Sequence, residues 1–183
     1  MAEAARRSGD WLVCRPGCTQ CCIGPFAITQ LDALRLRTGL SALDAADPAR
    51  AERVRARAAA YVAAIAAHYP GDPASGELWD EDRLPASMDD VPCPALDPVT
   101  GCCDLYAARP VTCRTFGPVT HIGEETLAAC ELCYVGATDE EMARCAAEID
   151  PEGLERELLA ALEAASVSGI TIVAYALTER ANA

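Results

Sequence analysis

The sequence predicts a mainly α-helical fold: a small helical domain wrapped around a cysteine-rich, loop-dominated metal core, with little or no β-sheet. Three observations carry this expectation. Alanine-rich segments of helical length are bounded by capping and breaking residues. Residues 71–100 are irregular and punctuated by Pro73, Pro85, Pro92, Pro94 and Pro98. Seven of the eleven cysteines fall into two blocks spaced like metal ligands.

Taken in chain order, residues 1–10 are polar and charged, without the apolar run of an export signal. The first cysteine block, Cys14-x3-Cys18-x2-Cys21-Cys22, sits in a Pro/Gly-punctuated loop over residues 15–25. A helix follows from Thr29, with Asp32 as capping-box partner and Gly39 as its stop. Leu31, Leu34 and Leu36 supply its buried face. The next helix covers about residues 48–68, with Arg50, Arg53 and Arg57 marking a solvent face. Pro70-Gly71-Asp72-Pro73 ends it.

So long an irregular stretch as 71–100 needs something to tie it down, and a metal at Cys93 would do so. Pro110 suits the first turn of a short helix carrying Cys113 and Arg114, because its missing N–H costs nothing there. Thr138 and Glu141 make a second capping box. That predicts a helix over about residues 139–148, broken at Asp150-Pro151, and another over about 152–165. The β-branched tail at 168–177 supports both strand and helix. The expected organisation is a cysteine-cluster metal-binding domain at 10–136 and a C-terminal helical extension at 137–183 packed on it.

Composition bounds the function. With 183 residues and 51% hydrophobic content, the chain has enough apolar surface for a core without disulfides. Its cysteine share falls below the roughly 8–10% of disulfide scaffolds, and the odd count forbids complete pairing. A formal net charge of −13 argues against nucleic-acid and anionic-membrane partners, which need clustered cations. The partner expected is a protein or redox partner whose identity the sequence does not give. No stretch is long and apolar enough for a membrane span. Free thiols without an export signal predict a reducing, cytoplasmic setting. All fifteen basic residues are arginine, so no lysine can form a Schiff base. The sequence carries no phosphate loop, nucleophile elbow, zinc-protease helix or S-adenosylmethionine pattern, and nothing in it identifies an enzymatic reaction.

A Cys-x2-Cys or Cys-x3-Cys step lets a loop turn two sulfurs toward one centre about 2.3 Å away. Cys14, Cys18 and Cys21 give two such steps, and Cys93, Cys103 and Cys113 would complete the coordination. Adjacent Cys21 and Cys22 should diverge. The seven thiols Cys14, Cys18, Cys21, Cys22, Cys93, Cys103 and Cys113 exceed the ligands of one tetrahedral ion or one four-iron cluster, leaving either two sites or spare thiols. Arg109 and Arg114 bracket Cys113 and would offset thiolate charge. Tyr106 is expected in the core or beside the ligands. Cys130 and Cys133 form a further Cys-x2-Cys pair and are possible additional ligands. Cys145 is expected to be helix packing, and His68 a helix-end residue. With so many thiols available, His121 is weak as a ligand.

These blocks, continuing through Cys93-Pro94-Ala95-Leu96, Gly101-Cys102-Cys103, Tyr106, Arg109-Pro110 and Cys113-Arg114-Thr115-Phe116, resemble the zinc- or iron-chelating cysteine-cluster family (YkgJ-like proteins). The likeness covers about residues 14–116, with Cys102 standing as an extra cysteine. It implies metal binding without a defined reaction. The cysteine block is also similar to that of flagellin lysine N-methylases, longer proteins in which it implies an iron–sulfur cluster. The cofactor expected is therefore an iron–sulfur cluster of the 4Fe-4S type, with a redox or cluster-dependent role. Zn2+ is the alternative, either in a structural interaction scaffold presenting the acidic 70–100 segment or in a metal-trafficking module.

Overall fold

A computed structural model of the chain describes residues 2–15, 17–123 and 125–178. The last five positions of the expected C-terminal extension, 179–183, lie outside the described residues. The chain opens with α1 (Ala2–Ser8) and reaches the first cysteine block through a 3-10 turn at Gly9–Trp11. A second 3-10 turn, Gln20–Cys22, carries the adjacent cysteines.

Strand β1 (Ala27–Thr29) runs directly into α2 (Gln30–Ala46). Thr29 caps the helix, its hydroxyl accepting from the Asp32 N–H at 3.2 Å. The helix passes through Gly39, correcting the expected stop. A methyl group at position 39 would stand 2.3 Å from the Ala108 Cβ, so glycine is there for close packing, not termination. Of the predicted buried face, Leu36 is in the core while Leu34 is exposed. Asp47 then caps α3 (Pro48–Ile65), with Pro48 in its first turn.

The two-residue strands β2 (Gly71–Asp72) and β3 (Glu77–Leu78) form a hairpin within the stretch expected to be irregular. Beyond it come α4 (Val111–Thr115), β4 (Thr120–Ile122) and β5 (Glu125–Leu127). The capping box at Thr138 and Glu141 forms as predicted and starts α5 (Asp139–Cys145). Its helix is shorter than expected, because Ala147–Glu148 become strand β6. After α6 (Leu154–Ala164), the apolar tail is both strand and helix: β7 (Ile170–Ile172), then α7 (Val173–Leu177).

The fold is therefore mixed, not helical with little or no sheet. One antiparallel sheet has the order β1-β7-β3-β2, and a second has the order β5-β4-β6 with β6 parallel to β4. Each strand is two or three residues long, too short for an alternating pattern to register in sequence. Their pairing is non-local, as where Ala27 faces Ile172.

The main core lies where α2, α3 and α7 meet, around Leu36, Leu40, Val54, Ala58, Val173 and Leu177. Burying each of its large side chains contributes about 1.5–3 kcal/mol. Leu105 and Ala108 belong to this core, and half-buried Cys93 and Cys103 pack against it, so the cysteine loops sit directly on the helical layer. A separate cluster of Val119, Cys130, Cys133, Tyr134 and Cys145 packs with Trp11 and Leu12. Among the described residues no helix is long and apolar enough to cross a membrane.

Candidate metal centre

Local structure brings the second cysteine block to the first. The Cys93 N–H donates to the Cys22 carbonyl at 2.7 Å, beside an isolated bridge between Ile23 and Pro92. Another bridge pairs Leu96 with Cys103. Cys113 rides on α4, whose first N–H, from Val111, donates to the Asp32 carboxylate at 3.0 Å. Asp32 on α2 thus caps α4 as well, and burial raises its pKa against that bond.

Two side chains of α3 anchor the loop between these blocks. Arg50 and Arg57 both donate at 2.5 Å to Asp104, whose carboxylate side chain is 1% exposed. This corrects the expected solvent face, since two of its three arginines hold the residue that follows Cys103. The signal was available: positions 50 and 57 lie two turns apart on one helix face.

All eleven cysteines are free thiols. A cavity of about 490 Å³ is lined by Cys14, Cys18, Cys21, Cys22, Cys102, Cys103, Cys113 and Cys130. A smaller adjoining pocket shares Cys21, Cys22, Cys103 and Cys113 and adds Cys93. Every predicted ligand therefore reaches one of the two pockets. Cys102, set aside as extra, lines the larger one, and Cys130 does so as well. Cys145 is buried elsewhere, its thiol donating to the Arg7 carbonyl at 3.3 Å. His121 is on β4, paired through Nδ1 with the Thr126 hydroxyl, and does not line either pocket.

The thiols gather in two adjoining sets, with Cys14 also within reach of Cys21 and Cys22 within reach of Cys21, Cys93 and Cys103. Cys21, Cys93, Cys103 and Cys113 each lie within electrostatic reach of the other three. Burial raises Cys93 to about 12 and pushes Cys113 and Cys103 upward, with Arg109 opposing the rise at Cys103 and Cys113. Adjacent Cys21 and Cys22 do not diverge as expected, because the 3-10 turn aims both at the cavity and their thiols hydrogen-bond. That bond, helped by Arg109, lowers Cys21 to about 6 and raises Cys22.

The second group is Cys14, Cys18, Cys130 and Cys133. Cys14 and Cys133 share a side-chain hydrogen bond, as do Cys130 and Cys133, while Cys18 lies within reach of Cys14 and Cys130. Cys14 is raised to about 12 by burial and then by Cys133. Cys14 is exposed, yet its sulfur rests on Gly117, where a Cβ would stand 2.4 Å from Sγ. Among the described residues, no three Cys, His, Asp or Glu side chains already converge as ligands of one ion.

Arg15, Arg109 and Arg114 line the cavity and, among the described residues, no Asp or Glu does, although the chain carries 28 acids against 15 arginines. The Arg109 guanidinium lies 3.8 Å over the Tyr106 ring, and its Nε is buried without a hydrogen-bond partner. Tyr106 is 56% exposed, so it is a rim residue and not core. Arg114 donates to the Arg109 and Ala107 carbonyls, at 3.0 and 2.6 Å, and holds the loop rather than sulfur. Burial lowers its pKa, and neighbouring Arg35 and Arg109 add to the effect.

A comparison with protein families matches residues 13–134 to CxxCxxCC, described as a putative zinc- or iron-chelating domain. The chain belongs to this family. The searches of curated proteins and of solved structures each found no match. The matched span holds every thiol of both groups and ends beyond Cys133, so the chelating domain includes the Cys130/Cys133 pair as well as the two blocks. A cysteine-rich, metal-binding domain is the function that family and cavity have in common.

Proposed function

We propose that the chelating domain holds a four-iron iron–sulfur cluster on Cys21, Cys93, Cys103 and Cys113. Its role would be redox or cluster-dependent, exercised with a protein partner. The observation that carries this reading is the arginine-lined cavity, without a carboxylate among the described residues, around mutually neighbouring thiols. A four-thiolate cluster in its common oxidised state carries a net charge of about −2. Arg109, with its unpartnered buried Nε, is suited to receive such an anion.

Spacing favours a polynuclear group. One ion needs all its sulfurs about 2.3 Å from a single point, whereas each thiolate of a cluster takes a different iron. The four inner thiols lie within electrostatic reach of one another, yet among the described residues no three of them converge as ligands of one ion. Cys22 would stand beside the cluster as a reserve thiol, with Cys14 and Cys18 toward the outer group.

When bound, a cluster of this type supplies one-electron uptake and release. The chain's own residues would tune and protect it. Arg109 offsets its charge, and the stacked Tyr106 and half-exposed Phe116 line the open rim through which a partner would approach. Arg114, Arg50 and Arg57 hold the ligand-bearing loops.

Iron and sulfide determined on the Cys113→Ser variant test the assignment. The variant should lose most of both, and iron and sulfide equal to those of the unmodified chain would exclude Cys113 as a ligand.

A further inference from the structure

Cys21, Cys22, Cys103, Arg109 and Cys113 line both pockets and form their common wall. The rest of the cavity extends away from that wall. Its volume of about 490 Å³ falls within the roughly 300–1,000 Å³ of small-molecule sites. Leu12, Tyr106, Phe116 and Pro118 line this part together with Arg15 and Arg114, and none of them lines the adjoining pocket. We propose that it is a binding chamber for a small organic anion, a carboxylate or phosphate ester carried on an apolar body. Arg15 and Arg114 take the oxyanion.

The charge of the lining selects the ligand. In a chain with 28 acids and 15 arginines, a surface that gathers arginines and, among the described residues, no Asp or Glu draws anions to itself. Arg114 is fixed before any ligand arrives. Its Nε and Nη2 donate to the Arg109 and Ala107 carbonyls at 3.0 and 2.6 Å, which leaves Nη1 for the anion. Arg15 is exposed and meets the anion from the solvent side. A guanidinium edge matches a pair of carboxylate or phosphate oxygens, and a neutral or cationic ligand has no use for it.

The apolar lining sets the rest of the chemistry. Phe116 is 43% exposed, beside half-buried Leu12 and buried Pro118. A bare inorganic anion would leave these surfaces wet, whereas an aromatic or aliphatic body would cover them. Tyr106 already carries the Arg109 guanidinium 3.8 Å over its ring, which keeps Arg109 with the shared wall and the metal centre. The chamber uses no thiol as a ligand, so it goes beyond the proposed cluster and does not require it.

The full chain, purified without oxygen, is titrated calorimetrically with phenylacetate and phenyl phosphate. Benzyl alcohol, benzylamine and inorganic phosphate serve as controls. Iron and sulfide are determined on the same sample, so the cluster reading fails or holds separately. The two aromatic anions should compete for one site and bind at least about tenfold more tightly than any control. Arg15→Gln should weaken both by about tenfold, and Phe116→Ala should weaken both while leaving inorganic phosphate unchanged. Saturating phenylacetate should also slow alkylation by iodoacetamide of Cys102, a half-buried thiol of the same cavity. The chamber is overturned by no saturable binding of either anion, or by benzyl alcohol binding as tightly as phenylacetate. Inorganic phosphate binding as tightly as phenyl phosphate, unchanged affinity in Arg15→Gln, or unaltered Cys102 alkylation would overturn it equally.

Discussion

Arg57 holds Asp104: its Nη2 donates to Asp104 Oδ2 at 2.5 Å, while its Nε donates to the Pro94 carbonyl at 2.8 Å. One guanidinium on α3 thereby grips the residue after Cys93 and the residue after Cys103. The helical core is built by apolar packing, and this side chain transmits its rigidity to two proposed ligands. A lysine could not make both contacts with one planar group.

Replacing Arg57 with methionine keeps most of the apolar stem and removes both contacts. Asp104 retains Arg50, so the expected loss is about 1.5–3 kcal/mol, the range for hydrogen bonds to charged groups. Urea unfolding of the metal-free chain reads it, and iron content should fall in parallel. Unchanged stability would mean that the loop is held by other contacts.

Gly39→Ala tests the approach of α2 to the turn before Arg109. Alanine favours the helix by about 1 kcal/mol, but overlap with the rigid Ala108 Cβ costs about 1–3 kcal/mol. The variant should be destabilised, and adding Ala108→Gly should restore it. A Gly39→Ala chain more stable than the original would show that the close contact is absent.

Thiol chemistry should depend on pH in a site-specific way. In the metal-free chain Cys21 is depressed to about 6 by its hydrogen bond with Cys22, then by Arg109. Its thiolate should be present at neutral pH and be lost as the pH falls through about 6. Cys14, raised to about 12 by burial, should remain protonated throughout. Alkylation between pH 5 and 9, mapped by peptide mass, checks this. Equal rates at both cysteines, or a Cys21 profile rising only above pH 8, would contradict it.

Cys145 provides the contrast. It lines neither pocket, although it packs in the same cluster as Cys130 and Cys133, so Cys145→Ala should retain full metal content and cost on the order of 1 kcal/mol of packing. Cys113→Ala should lose iron. Equal iron loss in the two variants would break the division between ligands and core.

Where the cysteines gather was more legible in sequence than the fold. Thiol spacing names candidate ligands because a short step permits only a few ways for two sulfurs to meet, and the seven thiols named from sequence each line one of the two pockets. Caps at Thr29 and Thr138 were readable because the chemistry is local. The strands were hidden because Ala27–Thr29 finds its partner at Ile170–Ile172, a pairing no local window contains. Gly39 was misread for the same reason, since its meaning lies in Ala108 rather than in its own helix. Arg50 and Arg57 looked like surface residues until Asp104 supplied a buried carboxylate.

The central claim is the cluster, and the most direct measurement is iron, zinc and acid-labile sulfide per chain in unmodified protein purified without oxygen. The visible spectrum is recorded before and after dithionite. About four irons with matching sulfide, and a brown colour that bleaches on reduction, are predicted. A colourless protein holding zinc, with neither iron nor sulfide, would contradict it.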